Sequence, residues 1–280
     1  MSRAFSTTSP AEKLGRYLLM LLVLVITIGP FLWQLSTSLK GKDEDVYSAT
    51  PRFLPENPTL DNYAEVAATI PVWSYIGNSL VVAALVVAGN ALGATLAGYA
   101  LAKLDFRGGK LVLGLILASL LLPGEVTIIS QYVTVREFGL ADTLAGVAVP
   151  GAIGMLNVLL MRAAFQAVPR EVEEAAIVDG ANAWRRLVHI GLPSARGMLS
   201  VVVIFAFIGA WDDFLWPLIV LNDPENYTLT VGLQYLNNAF SANPRVIAAG
   251  TMIAFIPIVV VFASLQRFFF KGVEEGAIKG

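Results

Sequence analysis

Charge is scarce in this sequence. Only 14% of its 280 residues are Asp, Glu, Lys or Arg, whereas a soluble globular domain carries about 25%, so a water-facing surface cannot be covered. Cysteine is absent, which excludes disulfides, thiolate nucleophiles and cysteine-ligated zinc. The single histidine, His189, excludes a histidine-rich metal or acid–base site within the chain. No G-x-x-x-x-G-K-[ST] occurs, so any ATP hydrolysis of the P-loop kind belongs to another chain. G-x-S-x-G and H-E-x-x-H are also missing, which counts against a polytopic membrane enzyme. A net charge of -2 without a basic cluster gives nucleic acid nothing to bind.

What remains is apolar. Hydrophobic residues make up 56% of the chain and its mean hydropathy is +0.68. A bilayer-crossing helix needs about 20 mainly apolar residues, and charge-poor runs predict six: 17–37, 78–102, 110–132, 143–162, 198–220 and 246–266. The charge-free run Val66 to Ala102 is short for two spans and a turn. It reads as one helix from about Asn78, preceded by an interfacial stretch around Trp73 and Tyr75. Arg3, Lys13 and Arg16 precede the first run, but that run is longer than a signal-peptide core, so it reads as a retained anchor. The expected architecture is a single all-α integral membrane domain over 1–280.

Six spans place both termini on one side. The side holding the termini, the Lys103 to Lys110 loop and the Arg162 to Arg196 loop carries 14 Lys and Arg, against 5 on the other. The positive-inside rule makes the richer side cytoplasmic. On the external side, the loop of about 40 residues after the first span is rich in turn formers and ends in TLDNYAEV, where Asp61 or Asn62 is a candidate helix cap.

One cytoplasmic stretch is unlike the rest. In 168–196, Pro169 stands at a helix start, with Glu171, Glu173 and Glu174 in the first turns where the helix dipole favours them. Gly180 permits a break, and a second helical stretch, Asn182 to Ile190, carries Trp184, Leu187 and Val188 at helical spacing. Leu192 and Pro193 are expected to end it. Such a segment is either an interfacial cover for helix ends or a docking knob.

Three acidic residues fall inside apolar runs. Glu125, Asp212 and Asp213 are costly in hydrocarbon and mark a polar pathway or a paired structural site. At 1.5 Å per residue, Glu125 and Asp212 both lie roughly 20 Å above the inner side. Adjacent helix positions point about 100° apart, so Asp212 and Asp213 face one cavity only if the backbone unwinds. Gly89 and Gly93 form a GxxxG that permits close helix packing.

The stretch EEAAIVDGANAWRRLVHIGLP, Glu173 to Pro193, resembles the EAA loop of ABC-importer permeases. Glu174, Ala175, Ala176, Asp179, Gly180, Ala181, Leu192 and Pro193 match its pattern. NSLVVAALVVAGNALGATLAGYALAKLDFRGGK, LLPGEVTIISQYVTVREFGLADT, FIGAWDDFLWPLIVL and QRFFFKGVEEGAIKG are similar to segments of the MalG-like carbohydrate branch. The resemblance implies the type I ABC-importer permease fold in a bacterial or archaeal plasma membrane. It also implies three partners: a MalF-like second permease, a dimeric ABC ATPase that uses ATP and Mg, and an extracytoplasmic solute-binding protein. In that family the EAA glutamate pairs with a basic residue of the ATPase, a role that would fall to Glu174 with Trp184 close by. The solute would be a carbohydrate, with Glu125, Asp212, Asp213, Trp211 and Trp216 as candidates for its path; an aromatic belt explains the tryptophans equally well. A self-sufficient secondary transporter or channel is the alternative, and gives no reason for the EAA segment.

Overall fold

A computed structural model describes residues 10–48, 52–238 and 243–277 of the chain. Arg3 and Lys279, both counted above among the charges beside the termini, and Pro51, one of the turn formers of the external loop, lie outside the described residues. All regular structure among the described residues is helical. Among the described residues four helices are long and apolar enough to cross a bilayer: Ala11–Ser38, Val72–Lys103, Ala183–Asp212 and Pro244–Gln266. A fifth crossing is counted if the pair Gly109–Ser119 and Gly124–Glu137, bent by 101°, forms one span. The chain divides into two compact units, one of residues up to Ile70 with Tyr235–Ile253, the other of Pro71–Gln234 with the residues from Ala254.

In the first unit, α1 (Pro10–Ser38) is apolar and exposed on every side from Ala11 to Ile28, a surface suited to lipid or another chain. Its far end is polar and buried. Lys40 donates to Arg52 O at 2.7 Å and lies 4.9 Å from the Trp33 ring centre, so the buried ammonium is both hydrogen-bonded and cradled by a π face. The sequence offered Asp61 or Asn62 as caps for α2 (Asp61–Thr69), but neither caps it. The Asn62 amide instead donates to Ser38 O and Lys40 O, because those carbonyls, at and just past the end of α1, have no helical partners.

The second unit holds the remaining long elements. Helix α3 runs from Val72 to Lys103, beginning six residues before the expected Asn78. Tertiary contacts supply the reason. Tyr75 is buried against Gly232, where a Cβ would collide with its ring, and Ser79 Oγ accepts from Leu229 N at 2.8 Å. The Asn78 amide donates to Glu225 O and Tyr227 O.

The third and fourth apolar runs are not straight helices. Helix α4 (Gly109–Ser119) stops before Pro123, and a 3-10 turn, Gly124–Thr127, leads into α5 (Ile128–Glu137). Proline disfavours helical geometry in the residue before it. In the fourth run α6 (Leu144–Ala148) and α7 (Met155–Gln166) flank a non-helical stretch containing Pro150, Gly151 and Gly154. Broken backbone at membrane depth needs internal hydrogen bonds, and Asn90 of α3 supplies them. Its amide nitrogen donates to Val86 O and Gly151 O, and its oxygen accepts from Gly154 N and the Asn157 amide. Gly89 and Gly93 admit this stretch, since a Cβ at Gly89 would lie 2.5 Å from Ala152 O and one at Gly93 2.6 Å from Ile153 Cδ1.

Leu192 and Pro193 do not end a helix. Helix α9 (Ala183–Arg186) passes through a π-helical turn, Leu187–Gly191, directly into α10 (Leu192–Asp212). Leu192 N bonds to Leu187 O, five residues back. The wider turn accommodates the proline, whose ring clashes with the fourth carbonyl back in ordinary helix. Against the 220–226 segment, Asp142 adopts φ 58° and its carboxylate accepts from Asn222 N and Asp223 N at 2.9 and 3.0 Å. Backbone donation from Asp223, then Asn222, holds the Asp142 carboxyl below its ordinary range.

Candidate functional site: the coupling loop and the cavity

Pro169 precedes α8 (Arg170–Val178), whose first turn carries Glu171 and Glu173. The helix closes with paired bonds, Ala181 N to Ala176 O and Gly180 N to Ile177 O, with Gly180 at φ +77°. That is a Schellman closure, which needs a left-handed residue at the position Gly180 fills. Asn182 then caps α9 by accepting from Arg185 N at 2.9 Å.

Within this loop the two neighbouring glutamates have opposite fates. Glu173 is 6% exposed and takes a 3.1 Å ion pair from Arg186 Nη1, with the Tyr99 hydroxyl 3.5 Å from the same oxygen. Glu174 is exposed, as are Val172, Ile177, Val178 and Trp184, the last two 86% and 64% exposed. Ala175, Asp179 and Pro193 are exposed, while Ala176, Ala181 and Leu192 are half-buried. The apolar face expected of Trp184, Leu187 and Val188 is divided, because Leu187 is buried while Trp184 faces outward.

Beneath the loop lies a tight apolar core of Tyr99, Val158, Met161, Phe165, Leu187, Ala195 and Val202. Tyr99 meets Phe165 edge-to-face at 5.3 Å, and a Cβ on Gly191 of the π-turn would lie 3.2 Å from Phe165. Lys103 Nζ donates to Val168 O at 2.8 Å, joining the end of α3 to the start of the loop. Sequence reasoning missed Glu173 and Arg186. No local spacing signal links the two, which lie on separate helices 13 residues apart.

Farther along the unit is a cavity of about 440 Å³ lined by Glu125, Gln131, Asn90, Asn157, Asp213 and Trp216, among others. Asp213 has extended backbone between α10 and α11 (Leu215–Val220), so the backbone unwinds at this carboxylate. Its carboxylate accepts from Trp216 N at 3.3 Å. Trp216 donates its indole N–H to Gly146 O. Trp211 and Asp212 do not line the cavity. Trp211 is buried, stacked on Phe207 at 5.6 Å and bonded to Ala254 O, and Asp212 is exposed.

Residues 89–275 match the model of the binding-protein-dependent transport system inner membrane component family. The chain belongs to that family. As a member it is a multi-pass membrane permease. Its relatives are transport permease proteins, including the maltodextrin system's MdxG of Bacillus subtilis, 31% identical over 98% of this chain and 99% of that one. The galactooligosaccharide system's GanQ of Bacillus subtilis is 30% identical, covering 94% of each. YcjP of Escherichia coli, an inner membrane ABC transporter permease, is 30% identical over 96% of this chain and 97% of its own. Among solved structures, a chain of a bacterial ABC transporter that imports the acidic polysaccharide alginate superposes with a TM-score of 0.82 at 21% identity. That match covers 96% of this permease and all of the other chain.

Proposed function

We propose that this permease is the MalG-like subunit of an ATP-driven carbohydrate importer, coupled to its ATPase through 168–196. The observation that carries the coupling role is the opposite placement of Glu173 and Glu174. One carboxylate is consumed by the fold, and the other stands free on an exposed apolar face of the kind that marks a protein contact. Glu174 offers the charge for a basic residue of the ATPase, and Trp184 and Val178 offer apolar area. Relatives named for maltodextrin and galactooligosaccharide systems support a carbohydrate solute.

The remaining assignments follow from this reading. The permease crosses the membrane six times, its third and fourth crossings broken, with both termini and the EAA loop in the cytoplasm where Lys and Arg are concentrated. A second permease completes the path, and a binding protein delivers solute from outside. ATP and Mg are used on the ATPase; this subunit supplies no catalytic group. Glu125 and Asp213 accept hydrogen bonds from solute hydroxyls in the cavity, and Trp216 forms part of its apolar wall. Trp211 and Asp212 are left out of the path because they do not line that cavity.

The deciding experiment is purification from native membranes in mild detergent, followed by reconstitution in liposomes. An ATPase and a second permease are expected to accompany the chain, with hydrolysis stimulated by solute-loaded binding protein. Glu174→Lys sets like charges against each other, so the chain should still insert while transport falls at least about tenfold. Normal transport by that variant refutes the coupling role, and solute movement by the chain alone under an ion gradient refutes the importer.

A further inference from the structure

The buried pair behind the docking face is unexplained by docking. Glu173 and Arg186 are 13 residues apart, one on α8 and the other at the end of α9. Their side chains are 8% and 13% exposed, so neither is offered to a partner. Replacing such a pair by apolar residues of similar volume is often neutral or stabilising. Stability alone therefore does not account for charge at this place. An ion pair adds direction: it is strong in one arrangement of two helices and leaves an uncompensated charge in others.

Its surroundings tie that arrangement to a span. Glu173 Oε2 receives both Arg186 Nη1 and the Tyr99 hydroxyl, and Tyr99 belongs to α3. Leu187, next to Arg186, lies in the apolar core with Tyr99 and Phe165. The pair therefore locks α8 to α9 and sets both on the end of α3. It is also incompletely bonded: Glu173 Oε1 and Arg186 Nε are buried with no hydrogen-bond partner among the described residues. The remaining donor and acceptor leave room for the pair to shift between one-point and two-point contact without separating its charges.

We propose that Glu173 and Arg186, seated on Tyr99, are positioning residues that clamp the two helices of the coupling loop into one lever, so that displacement at Glu174 reaches α3 and α10. What the lever transmits rests on the importer reading; the clamp is a property of this chain. A cysteine-free sequence allows spin labels at cysteines introduced for exposed Glu171 and Arg185 without background. In the full-length chain a narrow distance distribution is expected. Glu173→Gln and Arg186→Gln should each broaden it about twofold or more, and the charge-swapped pair Glu173→Arg/Arg186→Glu should narrow it again.

In the assembled transporter, Glu173→Gln should retain the ATPase and its hydrolysis while solute moved per ATP falls about tenfold, with recovery in the swapped pair. A purely structural role would instead lower assembly, hydrolysis and transport together. Unbroadened distances in both single variants overturn the clamp. Broadened distances with unchanged solute per ATP overturn its positioning role, as does loss of ATPase binding in proportion to transport. Should neither single variant accumulate, accumulation of the swapped pair supports the clamp and its failure overturns it. A wild-type assembly that neither binds an ATPase nor transports refutes the importer reading, and the distance result still decides the clamp.

Discussion

Two buried polar clusters of the permease solve the same problem differently. Around Asn90 every bond is neutral and the amide is fully used, with both its oxygen and its nitrogen engaged twice. Around Glu173 the bonds carry charge and the set is left open, with one carboxylate oxygen and one guanidinium nitrogen unbonded. A closed neutral set fixes broken backbone permanently, since every alternative strands a buried group. An open charged set suits a joint, because the attraction persists over a range of separations.

The largest expected effect comes from opening the closed set. Asn90→Leu strands Gly151 O, Gly154 N and the Asn157 amide, and should cost about 2–4 kcal/mol, read as a lower thermal midpoint of the detergent-solubilised chain. Next is Gly89→Val, which leaves the amide intact but drives a side chain against Ala152. Overpacking of this kind costs about 1–3 kcal/mol by the same measurement. An unchanged midpoint in either variant would remove the claim that this break is held rigidly.

On the side of the joint, Gly180→Val forces a β-branched residue to φ +77°, a cost of about 1–2 kcal/mol confined to the coupling loop. It should lower solute moved per ATP more than it lowers the midpoint. The smallest effect sharpens the contrast with a charge outside both clusters. Because backbone donors lower the Asp142 carboxyl, its contribution is complete above the ordinary carboxylate value, about 3.9, and is lost as pH falls through the lowered one. Asp142→Asn should flatten that acid-side loss in stability, measured by proteolysis of the 220–226 segment between pH 2 and 6.

Much of this was legible in the sequence. Hydropathy located the apolar segments, and the EAA spacing identified the loop and its Gly180 turn. Hydropathy is blind to direction, however. Pro123 and Pro150 sit in runs whose composition fits a straight span as well as a broken one; at Pro150 the satisfaction of Gly151 and Gly154 by Asn90 holds the broken form. Periodicity failed at Glu173 for a related reason. Local rules explain an acid in a first helical turn by the dipole alone, and its partner lies across a turn that no local spacing rule spans. At Leu192–Pro193 a reliable breaker signal was overridden by a single π-turn.

That π-turn has a mechanical consequence. Because it absorbs the proline, Ala183–Asp212 is a single run of 30 helical residues, about 45 Å from end to end. Trp184 stands exposed near one end, and Asp213 follows the other at the cavity wall. A rod of this length tilting by about 5° sweeps its far tip through an arc of about 4 Å, wider than a water molecule. A helix that stopped at Pro193 would dissipate the same tilt at its hinge.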